Sequence, residues 1–277
     1  MRLYTDLYFE VDIDPRYRRT ERVLSVEISG KKAIVIGGAS GMGRASAQLL
    51  AERGATVTVF DRPGSDGAEV AKSFGAAFHE CDVTDFAGTE QILAAAVEEM
   101  GGLHITVTTA GGGIAKRTLS KSGPHDLESF RSVLDLNTVA TFNISRLAAD
   151  HMSRNEPEDD ERGVIINTAS IAAFEGQIGQ VAYTAAKAAI AGMCLTMARD
   201  LGSLGIRVLA IAPSLFSTGI TKGIPDQMAS DLVRDAAFPK RMGRPEEYAK
   251  LVVAIVDNAM LNGQCIRLDA GQRFAPK

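Results

Sequence analysis

AIVIGGASGMGRASAQLL, residues 33–50, passes from a β-branched apolar run through a glycine cluster into a stretch rich in alanine and leucine. The first four residues have a strand pattern and the last eight a helix pattern, so the glycines occupy a strand-to-helix turn. Gly37, Gly41 and Gly43 have the spacing G-x-x-x-G-x-G. Without Cβ atoms the chain turns tightly, and an anion can approach the helix N-terminus, where unpaired N–H groups and the helix dipole favour negative charge. Glycine clusters are common in turns. The position between a strand and a helix is what points to a pyrophosphate.

The same alternation continues outward from this stretch. KKAIVIGG, ATVTVFD, AAFHECDV, HITVTTAG, GVIINTAS, IRVLAIAP and GQCIRLDAG are short, nearly continuous apolar runs. Strands covered on both faces read this way, as in parallel sheets. Between them lie helical stretches such as GRASAQLLAERG, FAGTEQILAAAVEEMG and YTAAKAAIAGMCLTMARDLG, several ending at glycine. The pattern predicts an α/β fold, a doubly wound parallel (Rossmann-like) sheet in a single domain over residues 26–277. Ligands of such sheets bind beyond the carboxyl ends of the strands. SRNEPEDDERG (153–163) reads as an acidic surface loop. Residues 1–25 precede the first strand as an N-terminal arm. Within it, LYFEVDID alternates like a strand, leaving a structured arm and a loose tail both open.

Composition narrows the function classes. The 277 residues are 45% hydrophobic and 23% charged, with a net charge of -4, which argues against a nucleic-acid surface. No metal-ligand spacing joins the 3 cysteines to the 4 histidines, and reduced thiols are expected for Cys81, Cys194 and Cys265. No apolar run reads as long enough to span a membrane, and the N-terminus, mixing arginines with acids, fits neither a transit peptide nor a secretory signal. A cytoplasmic protein without nucleic-acid or membrane partners is the expectation.

Asp61 ends TVTVFDR twenty residues after Gly41, where a carboxylate bonds adenosine ribose hydroxyls and repels a 2′-phosphate. NAD is therefore favoured over NADP, although Arg62 could soften that preference and a plain strand-end aspartate gives the same pattern. Asp82 and Val83 follow the third strand and are placed to flank an adenine; Asp82 fits a helix N-cap equally well. Further on, Ser170 ends a strand, and Tyr183 and Lys187 share a helix face at i, i+4. With 5 tyrosines in the chain, roughly 0.2 Tyr-x-x-x-Lys matches arise by chance, so the motif alone proves little. For the phenol to work near neutrality, its proton affinity must fall by about 4 kcal/mol. A nearby ammonium and a cationic nicotinamide could supply this together in a partly desolvated cleft. Asn137, inside VLDLNTVATFNISR, is either a tolerated polar residue or one that opens the helical ladder and holds a water.

In this order, the glycine motif, Asp61, Asp82, Asn137, Ser170, Tyr183 and Lys187 resemble the short-chain dehydrogenase/reductase family over residues 26–277. GVIINTASIAAFEGQIGQVAYTAAKAAIAGM, ARDLGSLGIRVLAIAPSLF and LNGQCIRLDAG are similar to its type-2 3-hydroxyacyl-CoA dehydrogenase branch. That resemblance implies NAD-dependent oxidation of the 3-hydroxyl of acyl-CoA thioesters, tolerance for hydroxysteroid substrates, and a homotetramer. It makes Tyr183 the acid/base on the substrate oxygen and Ser170 a hydrogen-bond partner of that oxygen. Lys187 lowers the phenol pKa and holds a ribose, and Asn137 anchors a water. Ser40, Met42, Ala110, Gly111, Pro213, Phe216 and Thr218 join Gly37, Gly41, Gly43, Asp61, Asp82, Val83, Tyr183 and Lys187 as cofactor-binding residues.

The substrate loop then spans about 214–245. Leu215, Phe216, Ile220 and Met228 are candidates to line an acyl chain, while Lys222, Lys240, Arg241 and Arg244 are either CoA-phosphate ligands or solvated charges. Five positions depart from the family pattern: Ile36 for threonine, Thr108-Thr109 for Asn-Asn, Ser214 for glycine and His104 for aspartate. They put strand-joining side-chain bonds at risk, which Thr108 and Thr109 could restore. They also keep open a nucleotide-binding scaffold without turnover, beside a hydroxysteroid dehydrogenase or a 3-oxoacyl reductase.

Overall fold

The structure, a computed structural model, describes residues 28–218 and 231–275. The N-terminal LYFEVDID pattern, Ile220, Lys222 and Met228 lie outside these residues. The strands are β1 (Lys32–Ile36), β2 (Thr56–Asp61), β3 (Ala77–Glu80), β4 (Ile105–Thr108), β5 (Leu119–Ser120), β6 (Gly123–Pro124), β7 (Gly163–Thr168), β8 (Ile206–Pro213) and β9 (Cys265–Leu268). Seven of them form one parallel sheet in the order β3-β2-β1-β4-β7-β8-β9, while β5 and β6 make a separate small hairpin. All seven apolar runs of the sequence are strands of the main sheet.

The order reverses direction between β1 and β4, which opens the crevice where doubly wound sheets bind ligands. Helices α1 (Gly41–Glu52), α2 (Gly67–Ser73), α3 (Phe86–Met100), α4 (Leu127–Leu134), α5 (Ala140–Met152), α6 (Val181–Leu201) and α7 (Pro245–Val256) cover the sheet. Successive residues of a strand point to opposite faces. Val35, Val59 and Leu209 accordingly pack with Leu50 of α1 and Val252 of α7. Their neighbours Ile34, Phe60 and Val208 pack with Leu93 of α3, Ile144 of α5 and Met197 of α6. Both faces are dry, which is why the strand sequences show no polar alternation.

The amino edge of the sheet is closed by charge pairs. Buried Arg207 holds Glu161 through two bonds of 2.8 and 3.0 Å. Its remaining N–H groups donate to the carbonyls of Ile255, Val256, Asn258 and Leu261, satisfying the C-terminal end of α7. The acidic segment is a surface turn, as its composition suggests, with Asp159 and Asp160 at positive φ and Glu158 and Glu161 exchanging backbone bonds. Lys31 fixes it through Glu158 at 2.7 Å. His104 accepts the backbone N–H of Lys32 at 3.2 Å, a bond between β1 and β4 that needs a neutral ring. Burial, helped by Lys31 and Lys32, pushes its pKa below the ordinary value.

Two expectations need correction. The helical stretch Val181–Leu204 is long and apolar enough to cross a membrane by length and composition, which the sequence reading had not granted to any run. It lies against β8 and buries the ammonium of Lys187, and 39% of its most apolar window is covered by the rest of the chain. Asp82 is not the N-cap of α3. That position belongs to Asp85, which accepts from Gly88 N at 3.0 Å. Asp82 instead closes a turn on the N–H and hydroxyl of Thr84. Cys81, Cys194 and Cys265 are free.

Candidate active site

β1 ends at the glycine turn because α1 must start within a few residues while crossing to the face of the sheet. Gly37 and Gly41 take φ of 80 and 51, where a Cβ is strained. Gly43, inside α1, has a different reason: an added Cβ would fall on the carbonyl oxygen of Gly37 and lie 2.5 Å from Thr109 Oγ1. Ser40 is the N-cap of α1, yet its hydroxyl makes no cap bond, and the first turn holds no acidic residue. The N–H groups there are left for an anion. Met42 packs partly against the core.

Asp61, at the end of β2, reaches back to this turn. Its carboxylate accepts from Ala39 N and Arg62 N, both at 2.9 Å. The carboxylate thus ties the turn together and keeps acceptor capacity to spare. Val83 is buried among the residues that follow β3. Ile36 removes the threonine hydroxyl the family pattern would place there, and Thr109 compensates. Its hydroxyl donates between the carbonyls of Ile36 at 3.0 Å and Gly37 at 3.2 Å. Thr108 restores nothing, since its buried hydroxyl has no partner among the described residues. At the other departure, Ser214 N donates to Leu268 O and continues the ladder beyond Pro213.

The chemical groups gather at the carboxyl ends of β4 and β7. Helix α4 runs into α5 through a π segment, Asp135–Val139, with buried Asn137 at its centre. The widened ladder frees the carbonyl of Val133, which accepts from Asn137 Nδ2 at 2.8 Å. The same amide group grips the loop after β4, donating to Gly112 O at 2.8 Å and accepting from Gly112 N at 3.2 Å. Asn137 therefore does open the helical ladder, and its amide is committed to backbone. Gly111 and Gly113 let this loop pass. A Cβ on Gly111 would sit 2.6 Å from Asn137 Oδ1 and 3.2 Å from Lys187 Nζ, and one on Gly113 would sit 2.8 Å from the Tyr183 ring. Asn137, Lys187 and Tyr183 thus line one short stretch of backbone that begins at Ala110.

Ser170 follows β7, where its hydroxyl caps a short 3-10 turn by accepting from Ala172 N at 3.1 Å. It also faces Tyr183, in the first turn of α6, and its hydroxyl favours the phenol's anion. Lys187 lies one turn further, with Nζ 5.7 Å from the Tyr183 ring centre and donating to Thr168 O at 2.8 Å. Burial pushes the Lys187 ammonium down to about 8. Burial also raises the Tyr183 phenol, against the opposing bond from Ser170. The lowered phenol pKa that the sequence suggested is thus absent from the protein alone, because desolvation outweighs Ser170 at this depth.

Two further residues shape this end without a sequence signal. Thr168 donates to Thr108 O at 2.5 Å and bonds the buried Tyr248 hydroxyl at 2.7 Å, while its own carbonyl receives Lys187. Only the polar run NTAS at the end of an apolar strand hints at Thr168; Tyr248 arrives from α7.

Along the first turn of α6, which carries Tyr183, a cleft of about 630 Å³ opens between the β5–β6 hairpin and loop 174–180, lined by Thr118, Leu119, Gly176, Ile178, Val181 and Thr184. Lys116 N bonds Gly179 O at 2.8 Å across its floor. Thr218 lies over the glycine turn, with Cγ2 3.0 Å from where a Gly41 Cβ would be. Phe216, a candidate acyl-chain residue, is instead buried in the core edge-on to Tyr248. Arg241 is committed to Glu247 through two bonds, 2.8 and 2.7 Å, and Lys240 reaches the carbonyl of Arg234.

Comparison with known proteins agrees with this geometry. A family model for the short chain dehydrogenases matches residues 31–229. The 3-hydroxyacyl-CoA dehydrogenase type-2 of Drosophila melanogaster is 47% identical over 254 residues, covering 90% of this chain and all of that protein. The Homo sapiens protein of the same name is 46% identical, over 90% and 97% of the two chains. Among solved structures, 3-hydroxyacyl-CoA dehydrogenase type-2 from Mycobacterium avium superposes with a TM-score of 0.85 at 39% identity, covering 90% of this chain and 98% of that one. A 7α-hydroxysteroid dehydrogenase complexed with NADH and 7-oxo glycochenodeoxycholic acid gives 0.81 at 27% identity, over 91% and 97%.

Proposed function

Because the chain belongs to the short-chain dehydrogenase family and is an oxidoreductase, we propose that it uses NAD to interconvert 3-hydroxyacyl-CoA and 3-oxoacyl-CoA thioesters. The observation that carries this is the convergence of Ser170, Tyr183, Lys187 and Asn137 on the loop after β4, beside a cleft and across from the glycine turn.

The residues fit a dinucleotide on three counts. A Cβ would fill the turn at Gly43, the first N–H groups of α1 have no side-chain cap, and Asp61 presents a carboxylate where a 2′-phosphate would be repelled. Gly37, Ser40, Gly41 and Gly43 would hold the pyrophosphate, and Asp61 the adenosine ribose. Bound NAD supplies the hydride acceptor for the carbinol carbon.

The protein's own part is to place and protonate. Ser170 and Tyr183 offer two hydroxyls to the substrate oxygen; Tyr183 takes the hydroxyl proton during oxidation and returns it during reduction. Lys187 stands behind the phenol as a buried ammonium, favouring its anion once a second positive charge joins the cleft. Asn137 holds the loop that brings these groups together. The exposed apolar side chains Val139 and Phe142 near the start of α5, and Leu195 on α6, support assembly as a homotetramer.

Purified protein is expected to reduce acetoacetyl-CoA with NADH and poorly with NADPH; the reverse preference would overturn the cofactor assignment. A second reading, a hydroxysteroid dehydrogenase, is favoured by the likeness to the bile-acid enzyme. It would be preferred if a panel of both substrate classes gave the higher kcat/KM with steroids.

A further inference from the structure

We infer that Glu175 and Arg267 are positioning residues of the cleft, through which the C-terminal segment fixes the loop that forms one of its walls. Loop 174–180 joins the turn after Ser170 to α6. Its residues face two ways: Gly176, Ile178 and Gly179 line the cleft, while Phe174 and Glu175 engage Arg267 of β9, and Glu175 also the chain that follows it. Gln177 serves both, lining the cleft and donating from Nε2 to Ala275 O at 3.3 Å.

Arg267, at the end of β9, is the hub. Its guanidinium reaches Glu175 Oε1 at 2.8 Å and Asp269 Oδ2 at 2.6 Å, and donates to Gln272 O at 3.0 Å. Its flat face lies 5.3 Å from the centre of the Phe174 ring. Glu175 also pairs with Arg273 at 3.3 Å and accepts the backbone N–H of Phe274 at 2.9 Å. The side chains of Glu175 and Arg267 are only 21% and 22% exposed, so this is more than a solvated surface pair. A rigid planar fork shared between two carboxylates sets direction as well as attraction.

None of these bonds touches Ser170, Tyr183 or Lys187. The glycines of the loop supply no stiffness of their own, and its backbone tie to Lys116 leads to another loop. Inside the loop Gln177 N donates to Gln180 Oε1 and Gln180 N to Gln177 O, both at 3.0 Å, which closes a local turn; the C-terminal segment is what ties that turn to the edge of the sheet. The inference rests on the proposed function in taking the cleft as the substrate's seat.

Glu175→Gln and Arg267→Gln test it in the NADH-bound enzyme by two readouts. Amide hydrogen exchange at residues 176–179 should accelerate about tenfold, with strand β7 and the first turns of α6 unchanged. The KM for acetoacetyl-CoA should rise roughly tenfold while kcat and the KM for NADH stay within twofold, and Arg267→Lys should recover part of the loss. Truncation after Gln272 leaves the Glu175–Arg267 pair but removes the Arg273 pair and the Phe274 and Ala275 bonds, and should fall between. Unchanged exchange at 176–179, or exchange accelerated equally in β7, would overturn the inference. Wild-type protein that ignores acetoacetyl-CoA would refute the substrate reading alone, since the exchange result stands without turnover.

Discussion

Replacing Lys187 with methionine should make the protein more stable and nearly inactive. Lys187 is 3% exposed and, among the described residues, its one hydrogen bond is to the carbonyl of Thr168. With no carboxylate partner among the described residues, burial lowers its pKa from 10.5 to about 8. A folded pKa below the unfolded one means that the folded state binds the proton more weakly. Below about pH 8 both states are protonated and the folded protein carries the full penalty, about 3 kcal/mol. The penalty fades as pH rises from about 8 to 10.5, so wild-type stability should climb through that window. Methionine fills similar volume without charge, and leaving the Thr168 carbonyl unpaired costs about 1 kcal/mol. The variant should therefore gain about 2 kcal/mol near pH 7, a rise of roughly 4–8 °C in melting temperature. The gain should shrink to nothing or reverse above about pH 10. Thermal melts of both proteins across this range provide the assay. A variant less stable than wild type at neutral pH, or a gap that ignores pH, would refute the reasoning. Turnover in the same variant should drop at least about a hundredfold, and unimpaired turnover would remove Lys187 from the chemistry.

Three other perturbations separate support from chemistry. Thr109→Val removes a hydroxyl shared by two carbonyls, one of which also accepts two backbone N–H groups. The loss should be no more than about 1 kcal/mol by urea denaturation, with a several-fold rise in KM for NAD; an unchanged KM would separate Thr109 from the turn. Gly43→Ala forces a methyl onto the Gly37 carbonyl, so NADH affinity by fluorescence titration should fall more than about tenfold, and wild-type affinity would show that the turn yields. Asn137→Ala strands the N–H and carbonyl of Gly112 and the carbonyl of Val133, which should cost about 3 kcal/mol in denaturant unfolding. A loss below about 1 kcal/mol would mean that the π segment relaxes to ordinary helix.

What the sequence reveals and what it conceals divide along contact distance. Strands covered on both faces write themselves as unbroken apolar runs, so the sheet is legible from local pattern. The Tyr183–Lys187 spacing and the glycine turn are local too. Asp82 and Asp85 could not be ranked as caps, because both precede α3 and only backbone geometry chooses. Thr108 and Thr109 looked equally able to replace the missing asparagines, yet neighbouring residues of a strand point oppositely, and only Thr109 faces the turn. The Glu175–Arg267 bond spans most of the second half of the chain and has no periodic signature. The Tyr183 phenol shows a further limit, since spacing places the ammonium but cannot weigh it against the desolvation of a buried ring.

The two ends of the sheet are built on opposite terms. At the amino edge every buried charge is matched: Arg207 fills its donors with Glu161 and the closing carbonyls of α7, and Lys31 meets Glu158. At the carboxyl edge, among the described residues, Lys187 has a carbonyl in place of a carboxylate, Thr108 Oγ1 has no partner, Ser40 leaves its helix without a side-chain cap and a π segment interrupts α4–α5. Each of these is locally unfavourable, and together they fall within reach of the cleft and the glycine turn. A parallel sheet makes the asymmetry possible, because all its strands end on the same side and the helix N-termini there face one crevice. Stability supplied at one edge and in the dry core holds the other edge in an arrangement that would not persist alone. Substitutions that improve satisfaction at the carboxyl edge should therefore stabilise the fold and impair turnover, whereas losses at the amino edge should unfold the protein without altering its chemistry.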